Sequence, residues 1–133
     1  MYVAQVSNNG ATQYMGGDVE NGHITARLKQ FGSFALMIDT LQPVIKPVYA
    51  YDGQNLSGYK ILRFQILDQQ TGIKDYDAYL DGKWALFEYD KKNNTIIHTF
   101  DDSRFEFGKK HILKIRVVDN RDNETWYECN FYK

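Results

Sequence analysis

Along most of this chain, apolar and polar residues alternate one by one. Leu62, Phe64 and Ile66 alternate with Arg63 and Gln65. Tyr76, Ala78 and Leu80 alternate with Asp75, Asp77 and Tyr79. Leu113, Ile115 and Val117 alternate with Lys114 and Arg116, and Tyr127, Cys129 and Phe131 with Glu128 and Asn130. A period of two places successive side chains on opposite faces, so each run predicts a strand with one buried face. Turn residues separate the runs: Asp68-Gln69-Gln70-Thr71-Gly72, Asp81-Gly82, and Asp119-Asn120-Arg121-Asp122-Asn123. Asp81-Gly82 predicts a two-residue hairpin between Tyr76–Leu80 and a strand over Trp84–Tyr89, because a type I′ turn needs positive φ at both central residues. Asp90–Asn94 predicts a further turn into Thr95–Phe100. Strands spaced roughly 8–12 residues apart indicate an all-β sandwich or barrel. The only helical signal is one turn over Phe100–Phe107, capped by Asp102 or Ser103 and ended by Gly108.

The first third reads differently. Ser7–Gly22 is rich in Asn, Gly and Thr, and Ile24–Leu28 and Ser33–Ile38 predict two strands joined at Lys29–Gly32. Pro43 and Pro47 flank an extended stretch, since the residue before a proline is pushed away from helical geometry. The expected division is residues 1–38, as extra strands or the tail of a preceding β module, and residues 39–133 as an antiparallel sandwich of immunoglobulin-like or fibronectin-like type.

Composition narrows the function classes. A 133-residue chain buries roughly two-thirds of its unfolded surface and can build a core without staples. Sixteen basic against seventeen acidic residues leave a net charge of -1, so the chain shows no basic excess for nucleic acid. The longest apolar run, Phe34–Ile38, is too short to span a bilayer as a helix. The first residues lack the basic start and apolar stretch of a signal peptide, which leaves a cytosolic protein or an excerpt of a longer secreted chain. One cysteine, Cys129, excludes an intrachain disulfide and a four-thiolate metal site.

Candidate chemistry is sparse. His23, His98 and His111 form no zinc-binding spacing. His98 shares a predicted strand face with Ile96 and Phe100, which makes it a core or boundary histidine. His111 follows two lysines at a strand start and is expected in solvent. Cys129 lies on an apolar strand face, where a thiol is inert packing. No GxSxG elbow or phosphate loop is present. Asp75 to Asp81 fails the calcium-loop pattern, because Leu80 and Leu86 fall where glycine and glutamate are needed. Asp39, Asp68 and Asp119 are candidate calcium ligands if three strand ends meet at one pole. The other reading is that each ends its strand with an Asx turn. Trp84 and Trp126 are candidate binding residues for a partner or a sugar. Trp126 is out of phase with the buried face of its strand, so it sits either outside or beneath a layer from the N-terminal segment.

Several segments resemble a known pattern. Phe31-Gly32-Ser33-Phe34-Ala35-Leu36-Met37-Ile38-Asp39-Thr40-Leu41-Gln42-Pro43 is similar to the FGxFxLxxDTxxP junction that opens immunoglobulin-like modules in bacterial envelope proteins. Phe64–Asp68 with Thr71-Gly72-Ile73 resembles FxIxDxxSGI, Asp77–Trp84 resembles YxxxxDGxW, and Val118-Asp119-Asn120 with Asn123 resembles VxDxxGN, with Asp122 where glycine is usual. Together they resemble the C-terminal region of lysostaphin-type zinc metallopeptidases of Bacteroidetes. The resemblance implies a non-catalytic accessory module in the periplasm or outer envelope, with zinc confined to a separate catalytic domain. It implies that the preceding domains of the same parent chain, and peptidoglycan or an envelope protein, are the partners. A carbohydrate- or peptidoglycan-binding module using Trp84 and Trp126 is the alternative expectation, and an enzyme with an unrecognised site is a third.

Overall fold

The computed structural model describes residues 1–48, 52–103 and 105–133. Among the described residues the chain is all-β, with no helix. Two sheets face each other as a sandwich. The larger holds, in spatial order, β10 (Lys83–Trp84), β9 (Ile73–Leu80), β13 (Lys110–Asp119), β14 (Glu124–Tyr132) and β7 (Gln54–Asn55). The smaller holds β11 (Glu88–Asp90), β12 (Thr95–Thr99), β8 (Ile61–Leu67) and β6 (Val44–Pro47). Every pairing is antiparallel except β14 with the short edge strand β7. Pro47 ends β6 at the rim of its sheet, a position where a missing N–H costs no ladder bond.

The alternation in the sequence becomes the inner faces of the sandwich. Leu62, Phe64 and Ile66 of β8 meet Leu113, Ile115 and Val117 of β13, with Ala78, Ile96, Cys129 and Phe131 closing the same cluster. Fully burying each large side chain contributes about 1.5–3 kcal/mol. The ring of Phe64 packs edge-on against Tyr127 of the facing sheet, centroids 5.6 Å apart.

The segment before Asp39 forms separate sheets. β1 (Tyr2–Val6) lies between β2 (Thr12–Tyr14) and β5 (Ser33–Met37), and β3 (Asp18–Glu20) pairs only with β4 (His23–Thr25). Their only fully covered apolar side chains are Tyr2 and Ala4.

Three expectations are corrected. The strand expected over Ile24–Leu28 is the shorter β4, and it pairs with β3 rather than with β5. The strand expected over Trp84–Tyr89 is two pieces, β10 and β11, in different sheets. Between them the chain crosses from one layer to the other at Phe87, whose ring is buried. No helical turn forms over the described part of 100–107, while residue 104 lies outside the described residues. There Asp101, not Asp102 or Ser103, caps the turn, accepting from the Ser103 amide (3.0 Å) and hydroxyl (2.6 Å). Asp81-Gly82 forms the expected turn with φ of 52° and 80°.

Candidate functional site

Asp39, Asp68 and Asp119 come together at one pole, each offering a carboxylate oxygen within 4.8 Å of the other two. β5, β8 and β13 deliver them: Asp39 and Asp68 follow their strands and Asp119 ends its own. The pairing of β13 with β9 shifts register between Val118 and Asp119. The extra residue is Lys74 on β9, so Asp119 keeps the inward phase of Ile115 and Val117 and is 0% exposed.

All three carboxylates organise loops. Asp68 Oδ2 accepts from the backbone N–H of Gln70 (3.2 Å), Thr71 (2.7 Å) and Gly72 (2.9 Å). The Thr71 hydroxyl donates to Asp39 Oδ2 at 2.7 Å, and the Leu41 amide to Asp39 Oδ1 at 3.0 Å. Asp119 Oδ1 accepts from the amides of Arg121 (2.7 Å) and Asn123 (3.0 Å), and its Oδ2 from Asn123 Nδ2 (2.8 Å). Both sequence readings therefore meet in the same residues: the aspartates converge, and each supports an Asx-type turn. Among the described residues no Lys or Arg forms an ion pair with any of them. Hard cations take several oxygen ligands, so these three residues are the ones that could hold calcium. Burial, and then the charges of Asp39 and Asp68, push the Tyr2 hydroxyl above the usual tyrosine range, which places Tyr2 in the negative field of this pole.

The same pole fastens the N-terminal strands. Arg121 Nη1 donates to the carbonyls of Met1 (3.0 Å) and Gly17 (2.9 Å), and Nη2 to the Tyr14 hydroxyl (2.8 Å). Its guanidinium lies 5.5 Å from the Tyr14 ring centroid. A planar fork of fixed donors suits this clamp, which lysine could not reproduce. Nothing in the local sequence marks Arg121, because its partners lie more than 100 positions away.

The aromatic candidates lie on the outer face of the larger sheet. Trp84 is the cross-strand partner of Tyr79, which is opposite Lys114, which is opposite Glu128. In the next row Asp77, Arg116 and Trp126 are partners. Trp84 is 62% and Trp126 53% exposed, so no layer from the N-terminal segment covers Trp126. Tyr79 and Trp126 stack diagonally across β13, with centroids 6.4 Å apart and planes at 23°. Glu124 receives the Trp126 indole N–H and the Arg116 Nε (2.9 Å), and so orients the ring. With Gly82, Tyr127, Lys114 and Glu128, the stacked pair lines a shallow pocket. Tyr79 was open to detection from sequence, since it shares the outward phase of Asp75 and Asp77.

The histidines do not gather. His23 is on the outlying β4 hairpin. His98 is half-buried, with Nδ1 on the Leu86 carbonyl at 2.7 Å and its ring stacked on Phe87. His111 corrects the solvent expectation: it is 1% exposed, because the alternation of β13 carries it inward beside Phe131. Burial pushes the Cys129 thiol up to about 11, away from the thiolate a nucleophile needs.

No curated protein matches this chain. Residues 1–39, the segment that carries the separate N-terminal sheets and ends at the first aspartate of the pole, are similar to the Zu5-like domain family, whose model matches them.

Proposed function

We propose that this chain is a non-catalytic, immunoglobulin-like accessory module of a larger cell-envelope protein, and that it docks that protein on peptidoglycan glycan. The parent would be a lysostaphin-type zinc peptidase, as the sequence resemblance implies. The carrying observation is the outward aromatic group of exposed Trp84 and Trp126 with half-buried Tyr79 between them on an open sheet face. Flat aromatic rings cover the apolar C–H face of a sugar at little entropic cost. Asp77, Lys114, Arg116 and Glu128 frame them with charges of both signs, which suits an uncharged, hydroxyl-rich ligand better than a polyanion. The engaged His98 and His111 and the buried thiol support a role without chemistry of its own. The exposed apolar residues of the N-terminal segment, Val19, Leu36 and Ile38 among them, suit contact with a neighbouring β module of the parent.

Sedimentation with peptidoglycan and titration of tryptophan fluorescence with soluble glycan fragments test the reading. The expected result is co-sedimentation with altered fluorescence, both lost in Trp126→Ala. Wild-type protein that stays in the supernatant with unchanged fluorescence overturns the glycan reading. Turnover of peptidoglycan by this chain with added zinc, above a metal-free control, overturns the non-catalytic one.

A further inference from the structure

His111 sits where the Asp81-Gly82 turn, β14 and the segment Phe105–Lys109 meet. Its Nδ1 is 2.6 Å from Asp81 Oδ2 and its Nε2 is 2.9 Å from the carbonyl oxygen of Glu106. A carbonyl only accepts, and so does an ionised carboxylate. A neutral imidazole carries one N–H and can serve one of them. Asp81 is 39% exposed on its side chain, and its other oxygen accepts the Ile112 amide at 2.9 Å. Ionised, that carboxylate offers only lone pairs to Nδ1. Both contacts are therefore satisfied together only when both ring nitrogens carry hydrogen. The ring is held between Phe105 (4.3 Å) and Phe131 (5.4 Å), so it cannot turn away from either partner without repacking them.

We infer that His111 is a buried imidazolium that latches the Phe105–Lys109 segment to the Asp81-Gly82 turn, and that loss of its proton opens the latch. The charged groups around it are few. Asp81 faces it from the turn, and Lys83 lies on β10 beyond. Glu106 and Lys109 of the segment pair with one another, and each charge holds the other in its charged form. Lys133 at the end of β14 places its ammonium 4.7 Å from the Phe100 ring and 5.6 Å from the Phe107 ring, and its carbonyl accepts the Gly108 amide at 2.7 Å. Neutral His111 keeps the stronger, charge-assisted bond to the Asp81 carboxylate and drops the Glu106 carbonyl, which frees the segment.

Long-range proton–nitrogen NMR on histidine-labelled protein reads the ring directly. Near neutral pH both His111 nitrogens are expected to carry hydrogen, with one lost on the alkaline side. Hydrogen exchange at Gly108 and Lys109 is expected to rise about fivefold to tenfold with that loss, as for one hydrogen bond. In Asp81→Asn, which keeps a residue tolerant of positive φ, the amide N–H donates to the ring. His111 should then be singly protonated, with its hydrogen on Nε2 and still given to the Glu106 carbonyl, so exchange at Gly108 and Lys109 should stay slow and lose its pH dependence. His111→Phe keeps the ring packing and should show fast exchange at every pH, with Ile115 unaffected. A single ring N–H in the wild type near neutral pH overturns the inference. So does unchanged exchange at Gly108 and Lys109 in His111→Phe.

Discussion

The sandwich and the N-terminal strands use the same alternating pattern to different ends. In the sandwich, thirteen buried side chains from both sheets form one cluster among the described residues, the first of them Leu56. In the N-terminal segment, Tyr2 and Ala4 are covered, while Val19, Leu28, Phe31, Leu36 and Ile38 are exposed. An apolar strand face is stabilising only when another layer covers it. The sandwich has that layer. The N-terminal sheet buries only Tyr2 and Ala4 and is held at the pole by polar clamps: Arg121 to Met1, Gly17 and Tyr14, and Asn123 Nδ2 to the Asp39 carbonyl at 3.1 Å.

The contrast can be broken at its strong end first. Phe131→Ala should cost about 3–5 kcal/mol in urea unfolding, because the cavity opens in the shared cluster. A cost below about 1 kcal/mol would mean that the two sheets do not depend on one core. Arg121→Ala should cost about 2 kcal/mol, and locally, as expected for hydrogen bonds from a charged donor. Exchange at Val3 and Met15 should quicken while Leu113–Val117 stay protected. A uniform loss of protection would show that the two regions unfold as one.

A smaller effect concerns pH. The Cys129 thiol titrates at about 11 when folded, against the ordinary value of 9.0. Its folded value is raised, so the neutral thiol's contribution is complete below about 9 and is lost as pH rises through about 11. Cys129→Ala should flatten that part of the stability profile, and native-state alkylation of the wild type should be slow at pH 8. The smallest effect on stability is expected from Trp126→Ala, within about 0.5 kcal/mol for a side chain on an open face. A larger loss would make Trp126 a structural residue and weaken its assignment to binding.

Much of the strand pattern was legible because it is local. Runs such as Ile61–Leu67 carry their inward and outward phases in adjacent residues, and Asp81-Gly82 carries its turn in two. The aspartates were legible as strand ends. Their meeting was not, since it requires β5, β8 and β13 to end at one pole. The layer change between Trp84 and Glu88 was hidden for a related reason. One apolar run reads the same whether its strand stays in one sheet or crosses to the facing one. Arg121 has no sequence signal at all, because a clamp on backbone carbonyls needs no particular residue at the other end.

By itself, the sequence determined which residues become strands, where most turns fall and which face of each strand is apolar, because side-chain period and turn geometry act over a few neighbouring residues. Only the tertiary structure decided which apolar faces find a cover. It buried His111 beside Phe131, left Trp84 and Trp126 in the open, brought Asp119 to one pole with Asp39 and Asp68 and gave the N-terminal strands a polar fastening. Burial depends on what lies opposite in space, and that is settled by contacts between residues far apart in the chain.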